Sequence, residues 1–423
     1  MSITKLTSLD GLYASSKILQ GIWVFPGRIN HQRLSRAIQK FATRHPIFTS
    51  TLHRPISFTS SPFLNHTLES NSSSVIPLHY QTKPKYTNYN INRFEALLPE
   101  ITVDEIWKGK KSMLEVTLTS FDNGGSSIGI AMSHGVSDAC GMHLVVKEIA
   151  NLYCNENEEE DDSSAIVTSR ELLKDLHLKE ENLIEKNLNE KKKGIDDEGS
   201  VNLAGVSGRM LWWMMQWMNA RRTANHRAVP NRIKMVCDSK HKTGIAAQDI
   251  LHRVLLNTKE DEFICLKTVV NLRALNVGIP LNYVGNAIQT IETIVLKKDI
   301  AKGWHQMMNY IKFNATGNSK NIFSEFVVNE NRLHSGVLFD KDLRVSDNMV
   351  KLPSSKTMKT IVINSQVQLI QSSVGFKDGY LFGKEVGEIL EYIPGISDEL
   401  QFVPLINVDG RQGVECLVNM NNI

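Results

Sequence analysis

The 423-residue chain has few cysteines, almost no net charge and no long apolar run. Its five cysteines are Cys140, Cys154, Cys237, Cys265 and Cys416. The number is odd, and no pair has the close spacing of a zinc knuckle or a C-x-x-C redox motif, so the set reads as free thiols in a reducing compartment. Lysine and arginine total 48 against 45 acidic residues, and 48 − 45 = +3. So small an excess argues against a nucleic-acid stripe or a polybasic membrane patch as the main business of the chain. No apolar run reaches the roughly 18 residues of a membrane helix. The opening residues, Met1 to Asp10, are polar and carry no apolar core of a signal peptide. A Gly-rich phosphate loop is missing too. These absences leave the expectation of a cytoplasmic protein with no stable membrane insertion and no nucleic-acid partner. Asn65-His66-Thr67 and Asn314-Ala315-Thr316 then read as chance sequons.

What is present is ordinary globular composition, 41% hydrophobic and 22% charged, long enough for two or three domains. Gly21 to Phe25 reads as a short strand stopped by Pro26-Gly27. Asn30 is placed to cap a helix whose Leu34, Ala37, Ile38 and Phe41 form one apolar stripe. Residues 55–75, rich in Ser, Asn and Pro, read as loop. Leu114, Val116 and Leu118 alternate with polar residues, as in a half-buried strand. Asp122-Asn123-Gly124-Gly125 then supplies turn chemistry. Ile128 to Met132 returns as a continuously apolar strand, expected to be buried on both faces, and it runs into Ser133-His134. Met142, Val146, Ile149, Ala150 and Tyr153 mark a helix face directly after. His134 is therefore expected at the end of a rigid buried strand, where a side chain is well held at a cleft.

Past this point the composition changes. Asn155 to Ser164 is acidic, and Lys179 to Ser200 is dense in Lys, Glu and Asn. Neither buries apolar area, so a crossover is expected here. The expected layout is an N-terminal domain over 1–178, a charged linker over 179–208 and a C-terminal domain over 209–423. Residues 209–218 hold three Trp and four Met, a core or interface helix or the wall of an apolar cleft. Strands are read at Ile264 to Val270, Ala287 to Leu296 and Thr360 to Leu369. A helix is read through Ala301, Trp304, His305, Met308 and Ile311. A last hairpin is read from Phe402 to Val408 and Val414 to Met420.

The densest chemical signal is Ser133-His134-Gly135-Val136-Ser137-Asp138. In its strand-to-helix setting it resembles the signature of the H-x-x-x-D acyltransferases, in particular the BAHD acyltransferase family, of the chloramphenicol acetyltransferase-like superfamily. Other pieces follow in the family's order. They are Leu9-Asp10, the block from Leu114 to Tyr153, Val270-Asn271-Leu272-Arg273, Pro280 to Ala287 (against P-x-x-Y-F-G-N-A) and the tail from Pro404 to Met420. There are departures. Gly379 to Glu385 maps onto the second signature, D-F-G-W-G-K-P, with only Gly383 and Lys384 matching outright. Gln366 stands where a Trp is usual, and Ala139 where Gly is frequent.

The resemblance implies an α/β fold of two similar domains, each a mixed sheet flanked by helices, with a tunnel between them. It implies an activity as well: transfer of an acyl group from acyl-CoA, acetyl-CoA first among them, to a hydroxyl or amine of a small-molecule acceptor, by a monomer without a metal. His134 would be the general base, since a neutral imidazole can take the acceptor's proton as attack proceeds. No acyl-enzyme is then required. Cys140 reads as a small buried apolar residue. Asp138 either orients His134, as in a triad, or, as the family implies, turns away to pair with Arg273. Asn364 and Gln366 are candidates by resemblance for the oxyanion. Tyr283, Asn286, Trp23 and Gly383 complete the expected substrate and acyl-CoA channel, with Tyr283 and Asn286 alternatively fixing a turn before the next strand and Trp23 alternatively a core residue. Two alternatives stay open: a condensation-type enzyme using carrier-protein thioesters, although Ser133 stands where such enzymes carry a second His, and a non-catalytic ligand-binding relative.

Overall fold

The computed structural model describes residues 2–14, 17–53, 66–70, 75–84, 95–155, 166–173, 175–176, 200–202, 231–236, 251, 255–256, 258–275, 277–313, 322–324, 326–328, 337–339, 358–365, 380–395, 400–408 and 411–418. The first half holds β1 (Ser2–Lys5), α1 (Ser8–Ala14), β2 (Ile18–Phe25), α2 (His31–Arg44), β3 (Thr51–His53), β4 (Thr67–Ser70), β5 (Leu78–Lys83), α3 (Val103–Trp107), β6 (Leu114–Phe121), β7 (Ser126–Ser133) and α4 (Ala139–Cys154). Then follow β8 (Ser200–Asn202), β9 (Asn231–Val236), β10 (Phe263–Asn271), β11 (Ile288–Leu296), α5 (Ile300–Phe313), β12 (Val337–Phe339), β13 (Met358–Ser365), β14 (Glu391–Pro394), β15 (Leu400–Val408) and β16 (Arg411–Val418).

Two mixed sheets organise these elements. The first runs β14-β2-β7-β6-β5, with β5 and β6 parallel and the other pairs antiparallel. The second runs β11-β10-β13-β15-β16-β9, with parallel pairing through β10, β13 and β15 and antiparallel pairing outside them. Small sheets β1-β4-β3 and β12-β8 lie beside them. The expected α/β class with two helix-flanked mixed sheets is what the chain forms.

Sequence chemistry accounts for the helices next to the first sheet. Asn30 caps α2, its Oδ1 accepting from the Arg33 N–H at 3.0 Å, and Leu34, Ala37, Ile38, Phe41 and Ala42 are buried. Arg33 spreads over the Tyr153 ring of α4 at 4.4 Å and donates to the Cys154 carbonyl at 2.9 Å, tying the two helices together. A capping box at Thr102 and Glu105 starts the short α3.

The structure departs from the sequence reading in several places. Every residue of β6 is buried, not only the alternate apolar ones. Its polar face is satisfied by neighbours: Glu115 accepts from His79 at 2.9 Å and from Lys111 at 3.2 Å, and Thr119 accepts from Gln81 at 2.9 Å. The segment read as loop over 55–75 contains β4, a strand made by pairing with β1 and β3 rather than by its own pattern. The last hairpin begins earlier on each arm, with Asp409 and Gly410 outside the described residues. The strand read over Thr360 to Leu369 is seen over Met358–Ser365, and 366–369 lie outside them. The Trp/Met stretch at 209–218 and nearly all of the two charged segments are outside them as well.

One late segment of the chain returns to the first sheet. β14, late in the sequence, is the edge strand of the first sheet, paired with β2 through Glu391↔Val24 to Pro394↔Gly21. The preceding turn, 380–390, is fastened to the same sheet. The Gly27 N–H donates to the Val386 carbonyl and the Leu390 N–H to the Val24 carbonyl, both at 2.8 Å. Phe382 is fully buried, its ring edge-on to Phe25 and to Tyr153 with centroids 5.4 Å away in each case. Among the described residues, no helix is long and apolar enough to cross a membrane, and no group of His, Cys, Asp and Glu side chains is arranged to hold a metal ion.

Phe382 is thus the plug that seats this turn on the first core. Phe382→Ala is expected to cost about 3–5 kcal/mol, read as a lower urea midpoint.

Candidate active site

His134 follows the last residue of β7, a middle strand of the first sheet, and α4 begins five residues later. The turn between them is held from three directions. From the first half, the His134 N–H donates to the Lys17 carbonyl at 3.2 Å, and the Tyr13 ring of α1 stacks on the imidazole, centroids 4.2 Å apart and planes 18° apart. From the second half, Asn286 Nδ2 donates to the His134 carbonyl at 2.7 Å. The same nitrogen reaches Asp10 Oδ1 at 2.7 Å. Both partners are acceptors, so the amide must present its nitrogen to them. Gly135 packs so closely against Ala14 that a Cβ there would collide with it.

Asp138 does not face His134. It caps α4, its Oδ1 accepting from the Gly141 N–H at 2.9 Å, while Oδ2 accepts from Arg273 Nη1 at 2.8 Å and the Ala287 N–H at 2.9 Å. Arg273 stands in the short helical turn after β10. It also donates to the carbonyls of Tyr283 (2.7 Å) and Gly285 and to Asn271 Oδ1 (3.0 Å). Burial works most strongly against the charged guanidinium, but Asp138, Cys140 and Tyr283 together prevail, so Arg273 is held above its ordinary pKa.

A second buried ion pair, missed in the sequence, lies beside the first. Arg170 Nε donates to Asp10 Oδ2 at 2.9 Å, and its Nη2 to the Val136 carbonyl at 2.7 Å, inside the H-x-x-x-D turn itself. Arg170 is also raised: burial opposes most strongly, and Asp10 and Tyr283 together outweigh it. The available signal was an arginine set between apolar Ile166-Val167 and Leu172-Leu173, a charge in a core-like window. The Tyr283 ring lies between the two cations, 5.7 Å from Arg170 and 5.6 Å from Arg273. Burial pushes its phenol up to about 12, with Arg170 pulling the other way.

The segment 280–287 is the connector that brings all this together. It joins β10 to β11, whose pairing ends at Asn271↔Ile288. Val167 fastens it on one side, its N–H donating to the Asn282 carbonyl at 2.9 Å and its carbonyl accepting from the Val284 N–H at 2.8 Å, and Ser137 Oγ, donating to the Val284 carbonyl at 3.0 Å, on the other.

His134, Asp138, Arg273, Tyr283 and Asn286 therefore meet around one turn. Tyr283 and Asn286 are buried polar supports of that turn, in keeping with the turn-fixing alternative of the sequence reading. Trp23 and Gly383 belong elsewhere. Trp23 pairs with Ile128, five residues before the end of β7 or roughly 17 Å at a strand's rise per residue. It is fully buried against His143 and Tyr392 and walls the core rather than a cleft. Gly383, at φ +93°, makes the 380–387 turn beside Phe25, toward the opposite end of the sheet. Asn364 lies on β13 opposite Gln401 and its side chain is outside the described residues, as is Gln366 altogether.

Comparison with known proteins agrees with this architecture. Residues 85–204, which include the H-x-x-x-D turn and Arg170, match the model of the Transferase family. Vinorine synthase shares the fold at 13% identity and a TM-score of 0.57, over 100% of this chain and 92% of that one. TRI101 of F. graminearum, solved with coenzyme A and T-2 mycotoxin, does so at 11% identity and a TM-score of 0.60, over 100% and 96%. The same protein with coenzyme A and deoxynivalenol gives 13% and 0.59. No curated protein matches the chain. The solved structures share the fold over the whole chain, and the stretch around the H-x-x-x-D turn is similar to the Transferase family, as the sequence resemblance led one to expect.

Two predictions follow from the paired charges. Asp138→Asn leaves Arg273 charged and buried without its carboxylate and is expected to cost about 3–5 kcal/mol. Adding Arg273→Met is expected to recover part of that loss in a double-mutant cycle of urea unfolding, showing coupling. Tyr283 gives a pH effect of known sign. A phenol raised from 10.0 to about 12 favours the protonated folded state, so its contribution is whole below pH 10 and is lost as pH rises through about 12. Urea midpoints of wild type and Tyr283→Phe at pH 9 and pH 11 should therefore converge or cross at the higher pH.

Proposed function

We propose that the chain is an acyltransferase that moves an acyl group from acyl-CoA to a hydroxyl or amine of a small-molecule acceptor, with His134 as general base. The observation that carries this reading is the division of labour within the H-x-x-x-D turn. Asp138 is spent on Arg273, Gly141 and Ala287, which leaves the imidazole to act without that carboxylate as a relay. One base suffices for direct transfer. The imidazole removes the acceptor's proton as oxygen or nitrogen attacks the thioester carbonyl, and it returns a proton to the departing thiolate. No covalent enzyme intermediate enters. Acetyl is the donor group expected first, and the acceptor is of the small-molecule class, as in the solved relatives that hold coenzyme A together with T-2 mycotoxin or deoxynivalenol. The reading includes a cytoplasmic monomer with a passage between its two halves for donor and acceptor.

The test is release of free thiol from acetyl-, malonyl- and longer acyl-CoA in the presence of pooled alcohols and amines. His134→Ala is expected to lower the rate at least a hundredfold, the scale of a general base, with an unchanged urea midpoint. Turnover that survives His134→Ala overturns the assignment of the base. Turnover only with acylated carrier protein overturns the choice of donor.

A further inference from the structure

We propose that Tyr13 is a positioning residue for His134: its ring fixes the plane of the imidazole and favours the imidazolium that forms when the base takes a proton. This deepens the acyl-transfer reading and rests on it for its kinetic consequences.

The geometry is that of a built contact. The two rings are 4.2 Å apart at an 18° interplanar angle, close to parallel. Tyr13 is not free to drift, because α1 is anchored on both sides of it. Asp10, three residues earlier and so on a neighbouring face of the helix, is fully buried and bound by Arg170 at 2.9 Å and Asn286 at 2.7 Å. At the other end the Ala14 carbonyl accepts from Trp107 Nε1 at 2.9 Å, and the Tyr13 carbonyl accepts from the Lys17 N–H at 3.1 Å. Lys17 in turn takes the His134 N–H. Tyr13 and His134 are thus held in one frame: α1, the chain leaving it, and the H-x-x-x-D turn pressed against Ala14 through Gly135.

Two physical consequences follow. A flat ring against one face of the imidazole removes the rotation about χ2 that would swing its nitrogens away from the acceptor, which lowers the entropy lost on reaching the transition state. The π face also carries negative potential and attracts a cation stacked on it. The nearby charges do not replace this effect. Asp10 is directed to Arg170 and Asn286, Asp138 to Arg273, and Arg170 to Asp10 and the Val136 carbonyl. Lys17 meets the turn through its carbonyl. The hydroxyl of Tyr13 has no part in the argument, so phenylalanine should serve as well as tyrosine and an aliphatic residue should not.

The experiment compares wild type, Tyr13→Phe and Tyr13→Leu by two measurements. Steady-state kinetics across pH give kcat, KM and the acid limb of kcat/KM. NMR titration of histidine-labelled protein, assigned with His134→Gln, gives the His134 pKa without any substrate. Tyr13→Leu is expected to lower kcat about tenfold with little change in KM, and to lower the His134 pKa by about half a unit to one unit. Tyr13→Phe should restore both. A Tyr13→Leu protein that folds with an unchanged His134 pKa and unchanged kcat overturns the proposal, as does a variant whose only change is a raised acceptor KM. Wild-type protein inactive with every donor, yet showing the Tyr13-dependent titration, overturns the acyl-transfer reading while upholding the stack.

Discussion

The structure depends on the buried pair between Asp138 and Arg273. One partner caps the helix after the H-x-x-x-D turn, and the other ends the strand β10 of the second sheet. Burying two opposite charges is tolerable only when every remaining lone pair and proton finds a partner. Here the carboxylate has the Gly141 and Ala287 amides, and the guanidinium has the Tyr283 and Gly285 carbonyls and Asn271. The pair ties the second half to the first, joined there by Asn286 on Asp10 and on the His134 carbonyl and by Ser137 on the Val284 carbonyl. Its neighbour, Asp10 with Arg170, repeats the logic entirely within the first half and grips the turn at Val136. Both cations lie over the Tyr283 ring, at 5.7 and 5.6 Å from its centroid.

The H-x-x-x-D spacing takes its meaning from this arrangement. His134 and Asp138 are four residues apart but do not act on one another as a triad. The aspartate braces a backbone that carries the histidine. Asn286 completes the brace by holding the His134 carbonyl. The imidazole is presented by a frame drawn from α1, β7, residues 166–170 and the β10–β11 connector. Such a frame is a way to obtain sub-ångström placement without committing any of its own charges to the reaction.

Much of this was legible in the sequence where local pattern and tertiary role agree. The helix from Asn30, the continuously apolar β7, the helix after Asp138 and the strands on either side of Arg273 and Asn286 announce themselves by cap, run and period. That Asp138 and Arg273 belong together was implied by the family resemblance alone. What could not be read was anything decided by partners distant in the chain. β4 is a strand because β1 and β3 flank it, and β6 is buried on both faces because His79, Lys111 and Gln81 arrive to satisfy its polar side. Trp23 could be read either as a pocket wall or as a core residue, and only its place on β2, deep among His143 and Tyr392, decides for the core. Arg170 carried no motif. Only the fold brings Asp10, 160 positions away, into contact with it.

The pairing of β14 with β2 sets an order of events during synthesis. Val24 leaves the ribosome hundreds of residues ahead of Glu391, its partner on that edge. Until then the first sheet has an open flank, with the backbone donors and acceptors of β2 unanswered and Phe25 lacking the cover of Phe382. An open flank of this kind can recruit a strand from another chain. The nascent protein therefore passes through a long interval in which its first core is largely assembled but not sealed. In that interval a holding chaperone, rather than faster folding, would protect it.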